Sequence, residues 1–323
     1  MKRHAGKTTK VSKGEPEIGT MKKIHILGAG AIGKLYGAAL IQDVAVTFIT
    51  RSSQQQRWQF QPFHSDTSVP CECSTVTANE LYENSIDTLI VCVKAYQVES
   101  ALTDIAHALK ANTKILLLHN GMGVWEKVKG MLPTKIVAQG LSSHGALWNS
   151  DSSTLIHTGL GSTFIGPLSD SATEDEYSFL VEMLKARLPE CEWRESIQLD
   201  QWRKLAVNAV INPLTGYYQF KNGQVLNKEF VPVIESVSRE IAVVMNAKGF
   251  SIDSTDLIES VHQVAKATAE NYSSTNRDIH FGRMTELEFI NGYVVNLGES
   301  LGVDVAENKR LLSLCESKAE TDL

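Results

Sequence analysis

The sequence predicts an α/β domain followed by an all-α domain. Three observations carry this. Short apolar runs alternate with helical stretches from residue 21 to about residue 194. Strand signals then vanish, and apolar residues recur at helical spacing from about residue 198 onward. A glycine cluster, Gly28-Ala29-Gly30-Ala31-Ile32-Gly33, lies between the first strand candidate and the first helix candidate. The 323 residues suffice for two domains. We divide them into an extension at 1–20, an α/β domain at 21–194 and a helical domain at 195–323.

Residues 24–27 form the first apolar strand, and residues 34–41 the helix beyond the glycines. In that setting Gly28 permits a tight turn, Gly30 admits a pyrophosphate to the backbone, and Gly33 lets helix pack on strand. The helix then presents unpaired N–H groups to phosphate. The pattern is that of a Rossmann-type dinucleotide-binding domain. The second strand, 44–49, runs into Thr50-Arg51-Ser52-Ser53. An acid near that point would bind a ribose 2′-hydroxyl. Arg51 stands there instead, which suits a 2′-phosphate and points to NADPH and NADP⁺.

Residues 87–93 read as a buried parallel strand ending at Lys94, 97–109 as a helix, and 114–118 as a strand closing on His119-Asn120-Gly121-Met122-Gly123. Ligands of doubly wound sheets gather at the carboxyl ends of strands, where Arg51, Lys94 and Asn120 all fall. Further strands are expected at 135–140, 155–158 and 163–165, and a helix at 174–188, with the domain ending near 189–197.

Composition excludes several classes. A net charge of −6 offers no basic field to nucleic acid or an anionic membrane. No apolar run approaches the roughly 20 residues of a spanning helix. The five cysteines, odd in number and sparse, suggest reduced thiols in the cytoplasm. Cys71 and Cys73 have no second pair at ligand spacing, and the nine histidines form no metal motif, so no metal site is expected. Residues 1–20 carry scattered Lys and Arg among Ser, Thr and Gly, and read as a disordered tail ahead of a functional start at Met21.

In the helical half, Trp202-Arg203-Lys204-Leu205-Ala206-Val207-Asn208 continues to Asn212-Pro213-Leu214-Thr215. A four-residue step advances about 40° around a helix, so Lys204, Asn208 and Asn212 share one stripe of an otherwise apolar helix. Such a stripe either reaches solvent and internal partners or faces a bound ligand. Residues 230–248 and 254–268 read as helices, the first with Val233, Val237, Ile241 and Val244 on one face and Gly249 at its end. Thr285-Glu286-Leu287-Glu288 matches a capping box opening a helix with Leu287, Ile290, Val294, Leu297 and Leu301 on one stripe. Glu286 would sit in its first turn, where the helix dipole favours a carboxylate.

These residues together resemble the ketopantoate reductase (2-dehydropantoate 2-reductase) family. The resemblance rests on the glycine motif, Lys94-Ala95-Tyr96-Gln97, His119 to Gly123, the Lys204 and Asn212 segments, and Asn222-Gly223. Ala269-Glu270-Asn271-Tyr272-Ser273-Ser274 and Thr285-Glu286 with Ile290-Asn291-Gly292 extend it over about 21–316. It implies a Rossmann domain, a helical domain and a cleft site between them. It implies that Gly28, Ala29, Gly30, Ala31, Ile32, Gly33, Arg51, Lys94, Asn120, Ala146 and Glu286 contact NADPH, and that Lys204 donates the proton. Asn120, Lys204, Asn208, Asn212, Asn222, Asn271, Ser273 and Ser274 would hold the substrate, and Glu286 would close the site near Lys204.

The residue types suit the implied chemistry. An ammonium stabilises charge growing on a reduced carbonyl oxygen and then transfers its proton. Amides bond hydroxyl and carboxylate oxygens without adding charge. The small-molecule substrate would be ketopantoate, reduced to pantoate in the route to pantothenate and coenzyme A, by a monomer or homodimer. A reductase of another 2-keto acid and a non-catalytic NADP-sensing protein are the alternatives. Arg51→Ala should raise the KM for NADPH about 10–150-fold, the worth of one charge-assisted contact, and leave that for NADH nearly unchanged. Equal effects on both cofactors in steady-state kinetics would show that Arg51 does not read the 2′-phosphate.

Overall fold

The computed structural model describes residues 22–321. The extension 1–20 and Met21 lie outside the described residues. Within them, the strands are β1 (Lys23–Leu27), β2 (Ala45–Ile49), β3 (Gln56–Gln61), β4 (Val69–Val76), β5 (Ile86–Val91), β6 (Leu109–Leu117), β7 (Ile136–Ser142), β8 (Gly145–Asn149), β9 (Thr154–Gly159), β10 (Thr163–Pro167) and β11 (Cys191–Trp193). They join in one sheet, ordered β11-β10-β7-β6-β5-β1-β2-β4-β3-β9-β8. The centre, from β7 through β1 to β4, is parallel throughout. The chain leaves β1 toward β2 on one side and later returns to β5 on the other. The strand order therefore reverses at the carboxyl end of β1, where the glycine turn sits.

Helices cover both faces of this centre. They are α1 (Ala31–Leu40), α2 (Val98–Asp104), α3 (Val124–Val128) and α4 (Glu174–Lys185). The period of two along each strand sorts the side chains. Ile24, Ile26, Ile90 and Leu116 pack with Leu35, Tyr36, Leu180 and Leu184 of α1 and α4. Leu27, Leu89, Val91 and Leu117 pack with Val98, Leu102, Val124 and Val128 of α2 and α3. Continuous apolar runs in the central strands follow from burial on both sides.

The strands β8 and β11 and the short helix α3 add to the expected elements, and two further departures have a visible cause. The helix expected over 97–109 is α2 followed by a single 3₁₀ turn, Ala106–Ala108. Leu109 already pairs with Ile86, and Thr113 Oγ1 donates to Ile86 O at 2.7 Å, so strand pairing takes the segment. The β3–β4 hairpin was also not anticipated. Its inward residues are Trp58, Cys71 and Cys73, with Arg57 and Glu72 paired outside at 3.1 Å. Polar neighbours and isolated apolar positions hid the alternation. Burial pushes the Cys71 and Cys73 thiols up to about 11 and about 12, which makes them core residues rather than nucleophiles.

The helical domain comprises α5 (Gln198–Tyr218), α6 (Val231–Ala247), α7 (Ser254–Ala267), α8 (Ser274–His280), α9 (Asn291–Ser300) and α10 (Ala306–Thr321). α5 is its axis. Leu205, Ala209 and Val210 of α5 pack with Ile234, Val237 and Ile241 of α6, Leu257 and Val261 of α7, and Val294 of α9. Gly249 adopts φ +89° just past α6, as its position suggested.

The predicted start of the 285–301 helix requires correction. Leu287–Phe289 is a 3₁₀ turn, Ile290 breaks it at φ −109° and ψ −89°, and α9 begins only at Asn291. The carbonyl of Phe289 is engaged instead by Met122 N–H at 2.8 Å. Gly121, at φ +80°, lies so close that a Cβ there would sit 2.3 Å from the same oxygen. A contact between the domains thus displaces the capping box.

Gly33 is the tightest point of the helix-on-strand packing. A Cβ at Gly33 would lie 2.1 Å from Gly28 O, a backbone atom that cannot swing aside. Gly33→Ala should cost roughly 1–3 kcal/mol, the usual penalty of overpacking. Chemical denaturation should show a lower midpoint; an unchanged midpoint would mean that α1 tolerates the shift.

Candidate active site

The loops after β1, β2, β5 and β6 open on the carboxyl edge of the sheet. Gly28 turns there at φ +102°, with its N–H bonded to Ile49 O at 3.0 Å. Gly30 caps α1 without a side-chain bond, the first turn of α1 holds no acid, and a Cβ on Gly30 would meet nothing within 4 Å. An open helix N-terminus behind such a turn suits a pyrophosphate. Arg51, in the loop past β2, is exposed, and its side chain makes no hydrogen bond or ion pair among the described residues. Ala29, Ala31 and Ile32 pack against the core beneath the turn. Ala146 packs against the same core from β8, an edge strand beside α1.

Lys94 and Asn120, which follow β5 and β6, meet a carboxylate from the other domain. Glu286 Oε2 accepts from Lys94 Nζ at 3.0 Å and from Asn120 Nδ2 at 3.1 Å, while Oε1 accepts from Ala95 N–H at 3.0 Å. Asp278 of α8 accepts from Lys94 Nζ at 2.9 Å and pairs with Arg283 at 3.1 Å. Glu286 is only 4% exposed. Burial alone would raise its pKa, but Lys94, the Ala95 N–H and the Asn120 amide outweigh burial and hold it below the usual range. Burial likewise opposes the charge on Lys94, and the two carboxylates overcome it, leaving its pKa raised.

This geometry revises the expected place of Glu286. No regular helix starts around it, so fixed donors from the α/β domain, not a helix dipole, keep it ionised. It pairs directly with Lys94 and acts on Lys204 through its charge.

Lys204 projects from α5 and donates to Ser142 O, at the end of β7, at 2.8 Å. Burial lowers its pKa to about 8, with Glu286 acting in the opposite direction. Lys204 and Asn208 line a small cavity with Gln201 and His119. The predicted stripe therefore does face a common space at two of its three members. Asn212, one turn further on, is buried at 4% exposure and does not line that cavity. Burial holds His119 neutral; its Nδ1 lies 3.1 Å from Asn120 O, and its Nε2 is buried without a partner among the described residues.

The remaining polar residues form a separate group beside α5. Asn222 N–H donates to Asn271 O at 2.9 Å, and its Nδ2 to Thr268 Oγ1 at 3.0 Å, while its Oδ1 is buried and has no partner among the described residues. The Ser273 hydroxyl is 2.6 Å from Thr215 Oγ1 and accepts from Asn276 N–H at 3.0 Å, so it caps α8. Ser274 opens α8 and is exposed. The sequence reading gave no part to Asp278, His119, Gln201 or the Ala95 N–H. Weak signals existed: Asp278 is four residues beyond Ser274, and Gln201 three before Lys204, each on the face of a residue already singled out.

Comparisons with known proteins bear on the family and the fold. The sequence model of the family described as "Ketopantoate reductase PanE/ApbA" matches residues 24–170, and that of its C-terminal part matches 196–319. The chain is 35% identical to a 2-dehydropantoate 2-reductase of Yersinia pestis, over 92% of this chain and 95% of that one. It is 31% identical to an Archaeoglobus fulgidus protein of the same name, over 91% and 97%. Among solved structures, a ketopantoate reductase from Ralstonia eutropha superposes with a TM-score of 0.81 at 23% identity, covering 93% of this chain and 99% of that one. A D-mandelate dehydrogenase solved with NADH and anilino(oxo)acetate gives 0.83, also at 23% identity and the same coverage. At that identity the structural likenesses speak for the fold alone. The two family matches and the relatives above 30% identity show that this chain belongs to the ketopantoate reductase family.

Proposed function

We infer that this protein is a 2-dehydropantoate 2-reductase, catalysing 2-dehydropantoate + NADPH + H⁺ → pantoate + NADP⁺. The observation that carries the reading is the ammonium of Lys204 facing a small cavity beside the Glu286–Lys94–Asn120 cluster. When bound, the nicotinamide supplies a hydride to the 2-keto carbon. The protein's own residues do the rest. The turn from Gly28 to Gly33 and the start of α1 hold the pyrophosphate, and Arg51 takes the 2′-phosphate. Lys94, Asn120 and Ala146 line the cofactor's path toward the cleft. Of the polar residues expected to hold the substrate, Asn208 on the Lys204 cavity and Asn222, whose buried Oδ1 has no partner among the described residues, receive its hydroxyl and carboxylate. Asn212, Asn271, Ser273 and Ser274 support them.

Lys204 stabilises the oxygen that gains charge and then gives it a proton. With its pKa lowered to about 8, Lys204 is mainly protonated at neutral pH, and the proton remains easy to transfer. The cavity admits no more than about one water. Substrate therefore enters by separation of the domains, and closure expels water around Lys204.

We place the enzyme in the cytoplasm, acting as a monomer or homodimer on a small molecule. The free thiols fit a reducing compartment, and no helix among the described residues is long and apolar enough to cross a membrane. NADPH oxidation followed across a panel of 2-keto acids tests the substrate. Preference for a keto acid other than ketopantoate would reassign it, and NADPH binding without turnover on any member would point to a sensor.

Lys204→Ala should lose on the order of 10²–10⁴-fold in kcat and keep its affinity for NADPH in fluorescence titration. Retention of most of kcat would return the α5 stripe to a structural role. A protonated Lys204 is required, so kcat/KM should be level below neutrality and fall as pH rises through about 8. Glu286 favours the charged lysine, so Glu286→Gln should move that alkaline limb to lower pH. A limb that stays in place in the variant would show that the two groups are not coupled.

A further inference from the structure

Lys34 lies in the first turn of α1, directly after Gly33, and turns inward to 4% exposure. Its Nζ donates to Ala29 O at 2.7 Å and to Gln56 Oε1 at 2.7 Å. The rings of Trp148, Trp58 and Phe48 surround it with centroids at 4.7, 5.7 and 5.9 Å. No carboxylate pairs with it among the described residues. Burial lowers its pKa to about 8, so it is mainly protonated at neutral pH. A buried ammonium without a counter-ion costs stability, and cation–π contacts recover only part of that cost. A methionine would fill the same aromatic pocket without the desolvation.

The two acceptors indicate what the ammonium does. Ala29 belongs to the glycine turn. Gln56 begins β3, immediately after the exposed 51–55 loop that carries Arg51. Gln56 is itself fixed, its N–H donating to Thr75 Oγ1 at 3.2 Å and its Nε2 to Gln54 O at 3.3 Å inside that loop. We propose that Lys34 is a positioning residue for the phosphorylated end of the cofactor, setting the distance between the pyrophosphate turn and the loop that bears Arg51. The inference rests on the NADPH reading above. Lys34 itself touches no phosphate, since the aromatic rings enclose it. It acts by pre-ordering two loops that a 2′-phosphorylated dinucleotide must engage together.

The test compares NADPH and NADH dissociation constants, from fluorescence titration of the full chain, with melting temperatures. Lys34→Met should melt at or above the wild-type temperature, yet bind NADPH about fivefold or more weakly while NADH affinity changes much less. Unchanged NADPH affinity, or equal weakening for both cofactors, would overturn the proposal and leave Lys34 a packing residue. If Lys34→Met does not fold, Gln56→Ala carries the same test, since it cuts only the link to the loop. Selective weakening toward NADPH then supports the role, and none overturns it. A wild-type protein that binds both cofactors equally would sink the NADPH reading itself, an outcome distinct from a wild-type preference that the variants keep.

Discussion

The structure turns on one buried carboxylate. Glu286 comes from the helical domain and sits against the strand ends of the α/β domain. There it accepts from a lysine, an amide and a backbone N–H at 3.0–3.1 Å. Removing a carboxylate from water costs several kcal/mol, and well-placed donors are needed to offset it. These donors come from the loops after β5 and β6, so the ion pair also fixes how the two domains meet. Gly121 and Met122 follow from the same constraint. Their backbone must approach Phe289 closely enough to bond its carbonyl, which a side chain at 121 would prevent.

That constraint explains why the sequence was legible in some places and not in others. The glycine turn, the parallel strands and α5 follow local rules, because turn chemistry and hydrophobic period act over a few residues. Lys94, Asn120 and Lys204 could be singled out by their positions on those elements. The start of α9 could not. Thr285 to Glu288 carries a valid capping signal, but Phe289 O bonds a residue more than a hundred and sixty positions earlier. Such long-range pairing overrides a local preference worth about 1 kcal/mol. The same holds for Asp278, whose partners Lys94 and Arg283 assemble only in the folded chain. The β3–β4 hairpin was missed for a different reason: its inward face includes two cysteines among polar neighbours, and few apolar positions mark its period.

Polar residues gathered by family resemblance also separate once their bonds are known. Ser273 spends its hydroxyl on Thr215 and the α8 cap, whereas Asn222 keeps a buried carbonyl oxygen without a partner among the described residues. An unpartnered buried acceptor costs roughly 1–3 kcal/mol, so the two residues differ in what their polar atoms still lack. Sequence alone ranks the two alike.

Charge balance around the cleft decides what Lys204 can do. Lys94 and Arg283 oppose Asp278 and Glu286, two cations against two anions joined by contacts of 2.9–3.1 Å. That cluster is close to neutral when seen from outside. His119, between it and Lys204, is held uncharged by burial. Lys204 therefore faces its cavity as a cation whose one hydrogen bond among the described residues is to the neutral carbonyl of Ser142. A salt bridge of its own would lock the proton in place and raise the pKa well above neutrality. Complete isolation would strip the proton off by desolvation. The compensated carboxylate nearby leaves burial as the larger effect, and the pKa of Lys204 settles at about 8, between those two extremes.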